Sequence, residues 1–386
     1  MNQQKLKVLF ISSWFPNKQN STLGNFVEKH AEAVSLYADV SVLHVCFHSA
    51  YDAKKEYVIE RCENLDIHII YLKKIKTNIP IFTAFLKFCK IITAYHYGFK
   101  QIYKNSKPAI IHANILIPIG LIAYYFKFTK KIPYIITEHW TGYLPQDANK
   151  PNSSIFFYRY FAKKAAALTP VTQNLALAMQ DFKIIGNYNV IPNVVEINLF
   201  KQKQNINSEV KRIIHVSSLE EDQKNFKGIL FAISELNKLR KDFLLEVISD
   251  GDFEQYQNNI EILGITDKII FHGKKNTVEV AAIMQHCDFL LLFSNYENFP
   301  CVIAEAMSCG LPVLSTKVGG IAEHINGDNG ILIEAHNLKM FISELNRMID
   351  ICRTYNSSQI RFYAENHFSY EVIGKQYFEI YKSVLN

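Results

Sequence analysis

The sequence predicts an α/β protein built from two doubly wound domains that face each other across a cleft. The chain has 386 residues, of which 49% are apolar and 20% charged. That length suits two domains with full cores, and the composition excludes wholesale disorder. Short apolar runs alternate with amphipathic stretches in both halves, and a polar run at 201–209, KQKQNINSE, separates the two series.

The first half contains apolar runs that we interpret as strands. They are uninterrupted in Ile, Leu, Val and Phe, which is typical of parallel strands buried on both faces. An amphipathic segment at 25–37 is predicted to be a helix between two of them. The predicted strands lie at 7–12, 40–45, 67–72, 109–113 and 134–137.

The second half repeats the pattern with strands predicted at 212–217, 244–249, 268–273, 289–294 and 312–316. We therefore expect an N-terminal domain over 1–200, a C-terminal domain over 210–365, and a closing helix within 366–386 that is long enough to cross back to the first domain. Open parallel sheets bind ligands beyond the carboxyl ends of their strands. Residues directly after strands are therefore the candidates for function.

Several classes of protein are excluded by composition. No window approaches the roughly 18 uncharged apolar residues of a membrane span. The start, MNQQKLKVLFISSWF, lacks the long apolar run and cleavage site of a secretory signal, so we expect a cytoplasmic protein. The seven cysteines are scattered and form no CxxC pair, which argues against disulfides and zinc.

The net charge of +6 hides a large asymmetry along the chain. Residues 1–190 hold 23 Lys and Arg against 11 Asp and Glu, whereas residues 191–386 hold 19 against 25. Between Asp66 and Glu138 there is no carboxylate, but there are eleven lysines interleaved with aromatic residues. A one-signed, aromatic-rich stretch is typical of a surface that meets anionic lipid, here the inner membrane face.

Two alternatives to lipid remain for this basic stretch. Nucleic acid is disfavoured because the first half has only two arginines, the residue that most often reads phosphates and bases. The other alternative is a soluble domain that is simply basic.

The most informative motif is YENFPCVIAEAMSCGLPVLSTKVGGIAEHI at 296–325. Glu297 follows a predicted strand, and Glu305 lies eight residues later inside the next helix. The start of that helix offers free N–H groups and a positive dipole to an anion. A carboxylate in the loop can accept hydrogen bonds from sugar hydroxyls, and one on the helix can hold a ribose diol. Either glutamate alone would be interpreted as a solvated surface charge.

Other candidates also lie beside strands. His139 follows the strand at 134–137, and the alternative for it is an ordinary buried histidine. Gly24 precedes the helix at 25–37, where glycine permits close backbone approach to a phosphate or an acceptor, although a simple turn explains it equally. Asp250-Gly-Asp252 spells DxD, but Asp-Gly pairs mark turns, so we predict no metal site.

The block at 296–325 resembles that of the retaining glycosyltransferases of family 4, which have the two-domain GT-B fold. Supporting resemblance extends over most of the chain: 12–26 is similar to the family's glycine loop, 110–123 and 136–143 to its cleft-facing elements, 170–179 and 190–200 to the end of its first domain, and 215–228 to its phosphate-binding loop.

The resemblance implies a role for each matching position. Glu297 and His139 would lie near the donor sugar, and Glu305 would hold the ribose hydroxyls. Lys224 would bind the diphosphate. The backbone amides around Phe299, Cys301 and Val302 would cradle sugar and phosphate.

The chain departs from the family pattern in the phosphate-binding loop. Where the family usually has VGRL, this sequence has VSSL, so Ser218 stands in the place of an arginine. Half of the positive charge expected at the diphosphate is therefore missing, and Lys227 is the candidate to replace it.

The sequence thus predicts a retaining glycosyltransferase that moves a sugar from a nucleotide diphosphate donor, UDP favoured over GDP, to a hydroxyl of a glycan or lipid-linked glycan in cell-surface polysaccharide synthesis. The donor is a substrate and no cofactor is predicted. The alternatives are a sugar-nucleotide epimerase or phosphorylase of the same fold, and a non-catalytic sugar-binding protein.

Overall fold

The computed structural model describes residues 5–48, 55–62, 64–75, 78–144, 155–203 and 208–386. Two sheets organise these residues. The strands of the first are β1 Lys7–Ser12, β2 Asp39–His48, β3 Lys55–Cys62, β4 Leu65–Lys73, β5 Ile110–Asn114, β6 Tyr134–Glu138 and β7 Ala167–Pro170. Those of the second are β8 Lys211–Val216, β9 Phe243–Ile248, β10 Ile269–Gly273, β11 Phe289–Leu291, β12 Val313–Thr316 and β13 Gly330–Ile333.

Helices connect the strands and cover both sheets. The helices of the first half are α1 Asn25–Ser35, α2 Pro80–Asn105, α3 Ile119–Lys130, α4 Ile155–Lys164 and α5 Gln173–Asp181. The second half has α6 Glu221–Lys224, α7 Phe226–Leu239, α8 Gln257–Ile262, α9 Thr277–Met284, α10 Cys301–Ser308, α11 Leu338–Ile351, α12 Ser357–Phe368 and α13 Tyr370–Leu385. Short 3-10 turns include Thr141–Tyr143 and Ile321–Glu323.

The strand order confirms the predicted pair of doubly wound sheets. The first sheet runs β3-β4-β2-β1-β5-β6-β7 and the second β10-β9-β8-β11-β12-β13. Their pairings are parallel, except that β3 pairs antiparallel with β4. Chain order reverses beside β1 and β8, so each sheet has the switch point at which ligands bind.

Three edge strands were not predicted from the sequence, namely β3, β7 and β13. The sequence of β3, KEYVIERC, contains four charged residues, and β7 and β13 have only four residues each. Edge strands bury less surface than central ones, so they lack the continuous apolar run on which the prediction depends.

The N-terminal sheet is covered by different helices on its two faces. Helices α2, α3 and α4 share one core through Phe99, Phe126 and Phe161. Helix α1 packs on the other face together with the C-terminal helix α13. Within the described residues, no helix is both long and apolar enough to span a bilayer.

Helix α13 joins the N-terminal sheet although it follows the C-terminal one in the chain. Tyr377 and Tyr381 are fully buried there. The Tyr381 hydroxyl lies 2.6 Å from His112 Nδ1, and the Tyr377 hydroxyl lies 3.1 Å from Thr137 Oγ1. The chain therefore passes between the two sheets twice.

Candidate active site

Lys224 and Glu297 meet at the carboxyl ends of β8 and β11. Lys224 Nζ lies 2.5 Å from Glu297 Oε1, and both side chains are largely buried, with exposed fractions of 14% and 6%. Ser294 Oγ donates to the same oxygen at 2.9 Å, and Gln223 Nε2 donates to Oε2 at 3.1 Å. The site therefore holds an oriented carboxylate and a cation whose charge is balanced by it.

The loop that carries Glu297 is fixed by the paired glycines after β12. Gly319 has a left-handed φ of 55°, and a Cβ built there would lie 1.7 Å from the Glu297 carbonyl oxygen. The N–H of Gly320 donates to the Asn298 carbonyl at 2.7 Å. Only glycine at 319 permits this approach, so the second motif of the 296–325 block holds the first in place.

Helix α10 begins directly after this loop. Pro300 is its N-cap residue and no side chain caps the helix, so the N–H groups of its first turn have no side-chain acceptor. Val302 is 8% exposed and Phe299 2%, so their side chains pack in the core and only their backbone is offered to a ligand. Burial raises the pKa of the Cys301 thiol to about 11, which keeps it a neutral group at pH 7.

The carboxylate of Glu305 forms an ion pair with a lysine of the other domain. Its Oε1 lies 3.1 Å from Nζ of Lys29 on α1. Burial is the largest single influence on the pKa of Lys29 and would lower it, but the charge and hydrogen bond of Glu305, with smaller contributions from Cys301 and Glu32, together raise it. The carboxylate that we expect to bind ribose therefore also links the two domains.

His139 faces the Glu297 loop across the cleft. Asn298 Nδ2 donates to the His139 carbonyl at 2.5 Å. Burial, helped by the nearby His30 and His112, lowers the pKa of His139 well below its usual value. Its ring is therefore neutral at pH 7, and its Nε2 is buried without a hydrogen-bond partner. A neutral imidazole with a spare nitrogen is suited to a sugar hydroxyl.

The neighbouring Glu138 positions the His139 loop. Its Oε1 accepts the backbone N–H groups of His139 and Trp140, both at 2.9 Å, and its Oε2 accepts that of Leu116 at 3.0 Å. Burial raises the pKa of this carboxyl, while those backbone donors oppose the rise. One side chain thus ties together the loops after β5 and β6.

Gly24 is the N-cap of α1 and has a left-handed φ of 68°. A Cβ built there would lie 2.5 Å from the carbonyl carbon of Trp14, so a glycine is required by local packing. Ser218 lies in the loop after β8, and Gly251 of the 250–252 turn packs against its carbonyl. Lys227 lies on α7 with an exposed side chain, and the structure does not bring it to the Lys224–Glu297 pair.

A cavity of about 370 Å³ opens beside the Lys29–Glu305 pair. Helix α1 provides one wall with Glu28, Lys29 and Glu32, and the start of α9 provides another with Lys275 and Thr277. Burial, followed by the charges of Glu32 and Glu60, raises the pKa of Glu28 to about 7. The lining holds three carboxyl groups, with Glu196 as the third, and also three lysines, so the cavity offers both hydrogen-bond acceptors and positive charge to a ligand.

Sequence reasoning missed the side chains that complete this arrangement. Gln223 could not be recognised from the sequence, because its role depends on contact with Glu297, which lies 74 residues later in the chain. The sequence showed Lys29 only as a lysine among the residues of α1 that are buried, with no indication of its partner. Nothing in the sequence indicated a role for Asn298 or Glu138 except that they are adjacent to Glu297 and His139.

Family models match the chain in two consecutive blocks. Residues 39–199 match the model of "Glycosyltransferase Family 4", and residues 196–358 match that of "Glycosyl transferases group 1". With two parallel sheets and the site between them, the chain is an enzyme of the GT-B glycosyltransferases. It belongs to glycosyltransferase family 4, group 1, whose members typically retain the configuration of the transferred sugar.

Curated relatives resemble most of the chain. An uncharacterized glycosyltransferase of Methanocaldococcus jannaschii is 29% identical over 339 residues, which are 82% of this chain and 89% of that protein. A lipopolysaccharide 1,6-galactosyltransferase of Salmonella typhimurium is 26% identical over 299 residues, which are 75% of this chain and 78% of that protein.

Solved structures share the fold over almost the whole length. Sucrose-phosphate synthase of Thermosynechococcus elongatus superimposes with a TM-score of 0.79 at 17% identity, covering 98% of this chain and 99% of that one. HepE of Anabaena, solved with UDP-glucose, superimposes with a TM-score of 0.70 at 18% identity, covering 98% and 100%.

Proposed function

We propose that this glycosyltransferase moves a hexose from a UDP-sugar to a hydroxyl of a glycan or lipid-linked glycan, with retention of configuration, in cell-surface polysaccharide synthesis. The observation that carries the proposal is the convergence of Lys224, Glu297 and the His139 loop at one point between the domains. The choice of UDP is supported by the UDP-glucose bound to HepE. The galactosyltransferase relative supports the acceptor class.

The chemical task is to separate a sugar cation from a diphosphate. The bond between the anomeric carbon and the diphosphate oxygen breaks, and a bond to the acceptor oxygen forms on the same face. The acceptor proton passes to the departing phosphate, so no separate base is needed. Lys224 and the first-turn amides of α10 would receive the phosphate charge as the bond breaks.

Lys224 must exchange partners for this to happen. In the structure its ammonium group is held by Glu297. A donor that places its diphosphate against Lys224 frees the Glu297 carboxylate for the sugar hydroxyls. Phosphate binding and sugar recognition are then coupled through one pair of side chains.

The loop after β8 has Ser218 in place of the arginine of the family pattern, and Lys227 is exposed on α7. We therefore propose that Lys224 is the principal cation for the diphosphate in this loop. The nucleoside would extend toward Glu305, with Lys29 moving aside for the ribose. The cavity next to Lys29 would receive the remaining part of the nucleoside.

Donor turnover without acceptor tests the proposal. Purified enzyme is incubated with UDP-glucose, UDP-galactose, UDP-N-acetylglucosamine and GDP-mannose, and the products are separated. Slow release of UDP with free sugar supports a transferase. A changed sugar on an intact nucleotide indicates an epimerase, and no turnover with tight binding indicates a sugar-binding protein. A thermal-shift screen of the free nucleotides decides between UDP and GDP.

A further inference from the structure

Helix α2 is longer than the core it covers. It has 26 residues, but its buried ones are confined to Ala94–Ile102. The N-terminal turns carry large apolar side chains exposed to solvent. The exposed fractions are 81% for Ile81, 50% for Phe82, 61% for Phe85 and 44% for Phe88. Such a row of exposed phenylalanines marks a contact surface.

Helices α3 and α4 continue the same surface. They pack beside α2 on one face of the N-terminal sheet: Phe126 stacks on Phe99 with ring centroids 3.9 Å apart, and the Tyr124 and Tyr160 hydroxyls lie 2.8 Å apart. Phe156 and Phe157 of α4 are 68% and 55% exposed. We call the outward side of α2, α3 and α4 the aromatic-basic face.

The charge of this face has a single sign. The three helices contain eight lysines, one arginine and no carboxylate. Between α3 and α4, three lysines converge around a recess of about 350 Å³ that also includes aromatic side chains. The recess is lined by Tyr124, Lys127, Phe128, Lys131, Pro133 and Lys164. Lysine charge combined with insertable aromatic rings complements an anionic lipid surface.

One end of the face, formed by the starts of α2 and α4, lies next to the candidate active site. A helix that connects parallel strands begins at the carboxyl ends of those strands. Helix α2 follows β4, and α4 ends two residues before β7 begins. The exposed aromatic residues at the starts of both helices therefore lie at the sheet edge that also carries Glu138 and His139.

We propose that the aromatic-basic face docks on a membrane rich in anionic phospholipid, with Phe82, Phe85, Phe156 and Phe157 inserted at the headgroup level. Lysines of α2, α3 and α4 contact lipid phosphates. A docked enzyme holds its cleft beside the bilayer, where a lipid-linked acceptor is within reach. The docking itself does not depend on the proposed acceptor.

Sedimentation with vesicles tests docking. Vesicles of neutral phosphatidylcholine are compared with vesicles containing 30% phosphatidylglycerol. We expect binding only to the anionic vesicles, with at least a ten-fold loss on raising the salt concentration from about 50 to 500 mM. Three double variants should each weaken vesicle binding at least five-fold. They are Phe82→Ser with Phe85→Ser, Phe156→Ser with Phe157→Ser, and Lys87→Gln with Lys90→Gln. Phe362→Ser is the matched control, because Phe362 is 66% exposed on α12 of the other domain.

Donor hydrolysis without acceptor should be unchanged in all these variants, which separates failure of docking from failure of the proposed function. Equal binding to both vesicle types, or no binding at low salt, overturns the proposal. So does tighter binding to a single-stranded oligonucleotide that the Phe→Ser variants leave unaffected, because that result identifies nucleic acid as the partner. The proposal is also overturned if the parent protein dimerises and the double variant Phe82→Ser with Phe85→Ser does not, because that result identifies a second copy of the chain as the partner.

Discussion

Lys29 on α1 and Glu305 on α10 form an ion pair of 3.1 Å that joins the two domains. Both side chains are nearly buried, with exposed fractions of 10% and 12%. Glu305 is also the residue proposed to bind ribose, so a bound nucleotide and Lys29 compete for one carboxylate. The ligand-free contact between the domains is therefore sensitive to the donor.

Removing one partner of this pair should be costly. Lys29→Met leaves Glu305 buried without a counterion, a change that typically destabilises a protein by about 3–5 kcal/mol. We expect a lower melting temperature by circular dichroism. The double variant Lys29→Met with Glu305→Met should recover most of the loss. Identical melting of the single and double variants would mean that the two residues are not coupled.

Glu305 and Glu297 should separate binding from turnover. Glu305→Ala removes the proposed ribose acceptor, which costs about 1–3 kcal/mol and weakens UDP binding roughly ten- to hundred-fold. Glu297→Ala should lower kcat more than nucleotide affinity. Isothermal titration and donor hydrolysis measure the two effects, with Glu261→Ala as control because Glu261 is exposed on α8. The site assignment is wrong if both variants bind and react like the parent.

The phosphate-binding loop contains its own matched pair of lysines. Lys224→Ala should reduce turnover by about two orders of magnitude, as expected for loss of a charge-assisted contact in the transition state. Lys227→Ala should stay within two-fold of the parent, because its side chain is exposed on α7. Initial rates at saturating donor give the comparison. Equal losses would mean that both lysines replace the missing arginine.

Glu138 should act through His139 and not on the substrate directly. Glu138→Gln places an N–H₂ group where three backbone donors now meet two oxygens, and one unpaired buried donor costs about 1–3 kcal/mol. We expect kcat to fall at least ten-fold. Tyr143→Phe is the control, because its hydroxyl contacts Glu138 only at 3.4 Å. The folded state of each variant is compared by near-UV circular dichroism, and full activity in Glu138→Gln would contradict the positioning role.

Glu28 should make the folded protein less stable as the pH rises from acidic to neutral. Its folded pKa of about 7 lies above the ordinary glutamate value of 4.5, so the folded state binds more protons than the unfolded state between those values. Its contribution to stability therefore falls as the pH rises from about 4.5 to 7. Glu28→Gln should melt higher than the parent at pH 8 and like it near pH 4.5. A melting difference that is independent of pH would exclude this carboxyl as the cause.

The central strands could be predicted from the sequence because buried parallel strands consist of continuous apolar runs. The E-x7-E block could be predicted because a βα unit bounded by proline and glycine is recognisable from local sequence. The residues that contact this block could not be predicted from the sequence. Lys29 and Glu305 are 276 residues apart, and Gln223 meets Glu297 only because β8 and β11 are neighbours in the sheet. The first pair depends on the meeting of two domains and the second on the order of strands within one sheet, and no local sequence pattern indicates either.

The predicted role of Lys227 illustrates a second limit. Lys224 and Lys227 are three residues apart, which would place them on one side of a continuous helix. Asn225 interrupts the helix with a left-handed φ of 50°, so α6 ends and α7 begins between the two lysines. The two lysines therefore lie on different helices, which their spacing of three residues does not indicate.

Helix α13 has a consequence for biosynthesis. The N-terminal sheet leaves the ribosome first, yet two of the tyrosines that seal its interior, Tyr377 and Tyr381, lie more than 200 residues after β7, its last strand. Until they emerge, His112 and the surface beneath them lack their cover. The first sheet therefore keeps an uncovered apolar surface while all the strands of the second sheet are being synthesised, until α13 follows them.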